Sequence, residues 1–141
     1  MASPRFTERE AAALIERAEA AARVAYEAAT PTPMVVGTPK NMVASLMGGD
    51  GGGFDTSQPV YTVPGGVCGF AWVNIGPGNT SFARHARKLA GARKHYYGGM
   101  EVRPSVGRMD QSMQRKEAAC RAYADVLREA GIPAYMQSRM D

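Results

Sequence analysis

Residues 67–75 predict the longest β-strand of the chain. Alternate side chains of a strand point to opposite sides, and here both sides are largely apolar. One side carries Val67, Gly69, Ala71, Val73 and Ile75, and the other carries Cys68, Phe70, Trp72 and Asn74. A strand that is apolar on both faces is typical of a sheet interior, so we expect a central strand covered on both sides. In that position Cys68 is a buried, inert thiol.

Three amphipathic segments predict helices with recognisable start and stop signals. The first covers residues 1–30, begins at a capping box formed by Thr7 and Glu10, and ends before the prolines of residues 30–33. We expect its small apolar face to pack against the rest of the chain, with a subunit interface as the alternative. The second helix runs from a cap among Asn79, Thr80 and Ser81 to Gly91, and the third runs from Asp110 or Ser112 to Gly131.

Short β-rich stretches complete the element order at residues 34–36, 60–63, 100–103 and 134–137. The order α-β-β-β-α-β-α-β predicts an α+β single domain over residues 1–141, in which an N-terminal helix precedes a mixed or antiparallel sheet packed by two further helices. Residues 60–141 form its α+β core. Residues 37–59 are rich in glycine and predict a mobile surface loop, with a lid that orders over a ligand as the sharper alternative.

Several functional classes are disfavoured by what the sequence lacks. No stretch approaches the roughly 18 consecutive apolar residues of a transmembrane helix, and the N-terminus has no apolar signal-peptide region, so we expect a cytosolic protein. The two cysteines predict no disulfide framework, and His85 and His95 have no accompanying carboxylate pair. We therefore expect a binding protein with no catalytic residues, no bound metal and no cofactor, rather than an enzyme.

Positive charge is concentrated in one third of the chain. The formal net charge is +4, yet residues 79–116 contain nine Lys or Arg against Glu101 and Asp110 and so carry +7. The other 103 residues therefore sum to −3. A basic block inside a slightly acidic domain predicts an anionic partner, such as a nucleotide, a nucleic acid or phosphate.

The basic block also contains groups suited to a flat anion. Tyrosine rings stack on bases, glycine lets a ligand approach the backbone, and arginine forks hold phosphates in bidentate geometry. The start of the third helix adds directional hydrogen bonds and a positive dipole end. The bland alternative is a solvated basic face on which the tyrosines pack. The predicted ligand-binding residues are Arg84, Lys88, Tyr96, Tyr97, Gly98, Arg103, Arg108, Gln111, Ser112, Arg115 and Arg139.

Five segments carry a resemblance to known proteins: residues 30–36, 66–75, 96–99, 111–117 and 134–141. Over these segments the chain resembles a family of small proteins encoded by tailed bacteriophages. Among phage proteins, its size and make-up are similar to those of the Thoeris anti-defence sponges. Those sponges bind cyclic nucleotide-like immune signals without cleaving them and work as oligomers. The resemblance implies a phage-encoded homo-oligomer in the host cytoplasm that sequesters a nucleotide-derived signal. It assigns no ligand residue.

Two further readings of the same residues stay open. In one, the basic segment 79–116 binds the extended backbone of a nucleic acid, and binding weakens steeply as salt is raised. In the other, the protein belongs to the virion or its assembly, and the alanine-rich first helix and the glycine-rich loop make contacts between subunits.

Overall fold

The described part of the chain has an α+β architecture with three helices and two antiparallel sheets, as predicted. The structure is a computed structural model that describes residues 4–38, 53, 55, 57–107 and 110–140. Most of the predicted loop at residues 37–59 lies outside these ranges. The elements are α1 (Glu8–Ala28), β1 (Met34–Val36), β2 (Tyr61–Val63), β3 (Gly69–Ile75), α2 (Ser81–Leu89), β4 (Arg93–Lys94), β5 (Met100–Val102), α3 (Met113–Glu129) and β6 (Ala134–Met140).

The larger sheet has the strand order β4-β5-β3-β6, with every neighbouring pair antiparallel. Strand β3 pairs with β6 along its whole length, from Gly69 to Ile75. On its other side only the last three residues of β3, 73–75, pair with β5. Among the described residues no strand pairs with the first half of β3 on this side. The Gly69 N–H donates to the Gln111 carbonyl at 3.1 Å there, and a gap remains beside Phe70 and Ala71. Strands β1 and β2 pair with each other as a separate two-stranded ribbon.

The helices form a layer on one face of this sheet. Helix α3 contacts β3 and β6, and α1 contacts α3 and α2. The predicted capping box of α1 is confirmed, because the Thr7 hydroxyl accepts from the Glu10 backbone while the Glu10 carboxylate accepts from the Thr7 backbone. Its apolar face packs within the chain, as expected. The buried side chains of α1 are Ala11, Leu14, Ile15, Ala18 and Ala22, and those of α3 are Ala119, Cys120, Tyr123, Ala124 and Leu127.

One prediction about β3 is wrong. The strand is central, but within the described part of the chain only one of its faces is covered: Ala71, Val73 and Ile75 are buried, whereas the opposite residues, 70, 72 and 74, are only partly buried. The uncovered side chains shield one another through ring contacts and hydrogen bonds instead of a second layer. An example is the Trp72 indole, which donates to the Gln137 amide oxygen at 3.0 Å.

Two strand boundaries also differ from the predictions, and one strand was not predicted. Strand β3 begins at Gly69, so Cys68 precedes it and is partly exposed rather than buried. Strand β6 continues to Met140, beyond the predicted end at residue 137, because β3 supplies a partner for every residue of it. Strand β4 was not predicted, since Arg93 and Lys94 have no strong β preference and become extended only by pairing with β5.

Candidate functional site

The four-stranded sheet turns one set of side chains away from the helices, and we call this set the open face. Cross-strand register places its members on one side of the sheet, because directly paired residues share a face. The open face consists of Phe70, Trp72, Asn74, Arg93, Glu101, Tyr135, Gln137 and Arg139. It combines three aromatic rings with arginines and amides, a composition typical of ligand-binding surfaces.

Three cationic groups surround the ring of Phe70 at one end of the open face, and we call Arg103, Lys116 and Arg139 the basic cluster. Their charged groups lie 5.9, 5.3 and 5.6 Å from the Phe70 ring centroid. Each distance is within the range of a cation–π contact. Like charges held around one ring repel one another, and a bound anion would lower the electrostatic energy of the cluster.

Carboxylates neutralise this cluster only in part. Glu101 lies 3.8 Å from Arg103 and 3.6 Å from Arg93, so one carboxylate is shared between two guanidinium groups. Among the described residues, no carboxylate lies within 4.0 Å of the charged groups of Lys116 or Arg139. The Lys116 ammonium instead donates to the Gly69 carbonyl at 3.1 Å.

The start of helix α3 packs closely against the start of β3, on the helical side of the sheet, because residue 69 is a glycine. A Cβ at Gly69 would lie 2.7 Å from the Met113 sulfur and 2.6 Å from the Arg139 carbonyl oxygen. The missing side chain therefore lets the first turn of α3 and the end of β6 approach β3 together, as expected from the small residues of this strand. This approach brings Lys116 beside Phe70.

A cleft of about 440 Å³ opens beside the basic cluster, at the gap along the first half of β3. Its lining includes Phe70, Ala71, Arg103, Val106, Lys116 and Cys120. Burial raises the pKa of the Cys120 thiol to about 12, so this sulfur is protonated at neutral pH and is a poor nucleophile. The cleft therefore combines apolar wall residues with charged side chains in its lining.

Trp72 begins a continuous series of four aromatic rings, Trp72, His95, Tyr97 and Tyr96, that we call the aromatic row. Trp72 stacks on His95 with ring centroids 5.5 Å apart, His95 lies 6.0 Å from Tyr97, and Tyr97 lies 4.9 Å from Tyr96. The Tyr97 backbone N–H donates to the His95 ring at 3.2 Å, which fixes that nitrogen as an acceptor. The row thus extends from the centre of the sheet to the β4–β5 turn.

The start of α3, predicted as an anion site, is filled by the protein's own groups. The Asp110 carboxylate accepts from the Ser112 backbone at 2.8 Å and from the Tyr26 hydroxyl, and Arg115 lies 3.9 Å away. Burial opposes ionisation of Asp110, but these hydrogen bonds and the Arg115 charge outweigh it and lower its pKa. Asp110 therefore occupies the positive end of the helix.

Some of the predicted binding residues lie on or near the open face, at the basic cluster, the cleft or the aromatic row. Arg103 and Arg139 belong to the basic cluster, and Gln111 lines the cleft. Tyr96 and Tyr97 stand in the aromatic row, and the Gly98 carbonyl accepts from the Asn74 amide at 3.0 Å.

The remaining predicted residues lie elsewhere or are engaged by the protein. Lys88 pairs with Glu8 at 2.8 Å, and Arg84 lies near Phe6 at the start of α2. Ser112 is buried, and its hydroxyl donates to the Gly65 carbonyl while accepting from the Arg115 backbone. Arg115 is held against Asp110, and Arg108 lies outside the described residues.

Phe70, Trp72, Lys116 and Gln137 were not predicted as site residues. The alternating pattern of β3 already placed Phe70 and Trp72 on one face, but their apolar character suggested burial. Gln137 carried no signal of its own, because its role comes from standing opposite Trp72 in the register of β3 and β6.

No protein-family model, curated protein or solved structure matches the chain. None of the helices in the described ranges has the length and apolar character needed to cross a bilayer. The same ranges hold no group of three or more His, Cys, Asp or Glu side chains able to bind a metal.

Proposed function

We propose that the protein binds a nucleotide-type anion at the basic cluster, with the phosphate among its cations and the base on the neighbouring rings. The observation that carries this proposal is the convergence of three cations on the Phe70 ring beside a cleft. Two of these cations have no carboxylate partner among the described residues. A phosphate group would supply the missing negative charge and accept bidentate bonds from arginine.

The size and lining of the cleft support a small ligand. Its volume of about 440 Å³ falls within the range of pockets that hold drug-sized molecules. Ala71 and Cys120 contribute an apolar wall, and Arg103 and Lys116 line the cleft together with Glu101, whose carboxylate is shared between two guanidinium groups. An aromatic or sugar moiety fits such a wall, while its charged substituent remains near the cations.

We propose binding alone, without a chemical step. The Cys120 thiol in the cleft stays protonated at neutral pH and is a poor nucleophile. The biological role that we propose is sequestration of a nucleotide-derived immune signal by a phage-encoded homo-oligomer in the host cytoplasm. This role rests on the resemblance to anti-defence sponges, and the binding rests on the basic cluster. The two can be tested separately.

Binding is tested by isothermal titration calorimetry with nucleoside monophosphates, a cyclic dinucleotide and cyclic ADP-ribose. We expect at least one of these ligands to bind the wild type. Arg139→Ala should weaken that binding by about 1.5–3 kcal/mol, the usual value of a charged hydrogen bond. Arg17→Ala is the matched control, because Arg17 is an exposed arginine on α1, which lies on the helical side of the sheet.

The control variant should bind as tightly as the wild type. Equal losses in Arg17→Ala and Arg139→Ala would show that the effect comes from net charge and not from the basic cluster. If none of the ligands in the panel binds the wild type, the proposed function is refuted.

A further inference from the structure

The aromatic row extends the proposed nucleotide site beyond the reach of one nucleotide. We propose that the natural ligand class is a single-stranded oligonucleotide, whose phosphate backbone starts at the basic cluster and whose successive bases stack along the aromatic row. This inference rests on the proposed function, because it needs the basic cluster as the anchoring point. It adds that the ligand has several nucleotides, and that the side chains of the aromatic row bind the additional bases.

The spacing of the rings supports this ligand. Phe70 and Trp72 are two residues apart on one strand, which places them about 6.5–7 Å apart along the sheet. From Trp72 to Tyr96 the row continues in centroid steps of 4.9–6.0 Å, with His95 stacked on Trp72, Tyr97 tilted against His95 and Tyr96 edge-on to Tyr97. The ring faces most open to bases are therefore those of the two exposed tyrosines. Proteins that bind single strands without sequence preference combine a positive groove with a series of aromatic side chains of this kind.

The exposed end of the row is difficult to explain by packing. Tyr96 is 91% exposed and Tyr97 is 87% exposed, and their ring contacts are with each other and with His95. Two large rings left in solvent at the tip of a turn contribute little to stability. They are, however, suited to bases, since every base has a flat π-face.

The turn that carries these tyrosines is held in place by the sheet. The Asn74 side chain donates to the Gly98 carbonyl at 3.0 Å, and the His95 N–H donates to the Gly99 carbonyl at 2.9 Å. At Gly99, where φ is +73°, a Cβ would lie 2.5 Å from the Asn74 side-chain oxygen. The turn is thus fixed before any ligand arrives, which lowers the entropic cost of binding.

The first experiment measures affinity against ligand length. Trp72 is the single tryptophan of the chain, so quenching of its fluorescence reports a base that stacks on the open face. Thymidine monophosphate, the trinucleotide and the hexanucleotide are titrated in turn at two salt concentrations. We expect the trinucleotide to bind roughly tenfold or more tightly than the monophosphate, as expected when further bases stack, with a steeper loss on adding salt.

The second experiment assigns the effect to the row. The double variant Y96A/Y97A should lose roughly tenfold in trinucleotide affinity, the usual scale for loss of base stacking, while its affinity for the monophosphate stays unchanged. The matched control Y96F/Y97F keeps both rings and should bind both ligands as the wild type does. Arg139→Ala should weaken the binding of both ligands.

The outcomes separate the two proposals. Equal affinity for monophosphate and trinucleotide would overturn the oligonucleotide inference and leave the nucleotide site intact. Equal trinucleotide binding by Y96A/Y97A and the wild type would also overturn it. If the full-length protein binds neither ligand, while also failing to bind the cyclic ligands of the calorimetric panel, the proposed function itself is wrong.

Discussion

Tyr123 places a phenol hydroxyl in the hydrophobic core without a hydrogen-bond partner among the described residues. Burial raises the pKa of this group, so the hydroxyl stays neutral but keeps its polar character. A buried polar group without a partner costs about 1–3 kcal/mol. Tyr123→Phe removes the hydroxyl while keeping the ring, so we expect the free energy of unfolding in urea to rise by about 1 kcal/mol.

Tyr26→Phe is the matched control, because the Tyr26 hydroxyl donates to the Asp110 carboxylate. Removing this hydroxyl should lower the free energy of unfolding by about 1 kcal/mol or more, since the bond is to a charged acceptor. Both variants remove a tyrosine hydroxyl and keep the ring, but only the Tyr26 hydroxyl has a partner among the described residues. A similar destabilisation in both would contradict the assignment of an unpaired hydroxyl at Tyr123.

Side-chain charges along the sequence locate part of the candidate site and no more. The basic block contained Arg103 and Lys116, both of which reach the Phe70 ring. It also contained Lys88, whose charge is engaged by Glu8 from the distant start of α1. Pairing between residues so far apart in sequence is decided by the packing of α1 on α2, which local charge counts do not contain.

At the scale of elements, the contact between α1 and α3 depends on alanine. Ala18 and Ala22 of α1 and Ala119 and Ala124 of α3 are all fully or almost fully buried. Small side chains let the two helix backbones approach closely, and extra methylene groups in such a contact usually cost about 1–3 kcal/mol. We expect Ala18→Leu to lower the free energy of unfolding by that amount in urea denaturation.

Ala20 provides the comparison on the same helix, because it is exposed. Ala20→Leu adds the same side chain outside the contact and should change stability by less than about 0.5 kcal/mol. If Ala18→Leu were as stable as Ala20→Leu, the close approach of α1 and α3 would be wrong.

The elements that the sequence predicted well are those with local signals. Helix α1 has a reciprocal cap at Thr7, and α2 is capped by Thr80, one of the three candidates. The Ser112 hydroxyl likewise accepts from the α3 backbone. Strand β4 has no local signal, because it exists only through its pairing with β5, and such a partner is known only once the whole sheet has formed.

At the scale of the whole molecule, the described residues cover the sheet on one side only. The pattern of β3 did not reveal this, because Phe70 and Trp72 are apolar by residue type yet make their contacts with cations and amides. An aromatic ring satisfies both environments: it packs in a core, and it also receives a cation on its face. Hydrophobic patterning therefore predicted a sheet, and the cross-strand neighbours determine which face stays open.

Asp110 links distant parts of the molecule, because it accepts from Tyr26 at the end of α1 and from the first turn of α3. Although burial opposes its ionisation, hydrogen bonds from Tyr26 and Ser112 and the charge of Arg115 lower its pKa in the folded state. A carboxylate with a lowered folded pKa stabilises the fold above its unfolded pKa, about 4. That contribution is lost as pH falls through the lower folded value.

The free energy of unfolding should therefore depend on Asp110 at acidic pH. In urea denaturation at several pH values, the wild type should lose stability more steeply below about pH 4 than Asp110→Asn does, because the amide cannot be protonated in this range. At pH 7 the variant should be less stable by about 1.5–3 kcal/mol, the scale of a hydrogen bond to a charged group. The difference in the free energy of unfolding between the wild type and Asp110→Asn should therefore become smaller as the pH falls. Parallel profiles from pH 7 to pH 3 would show that Asp110 does not join α1 and α3 through its charge.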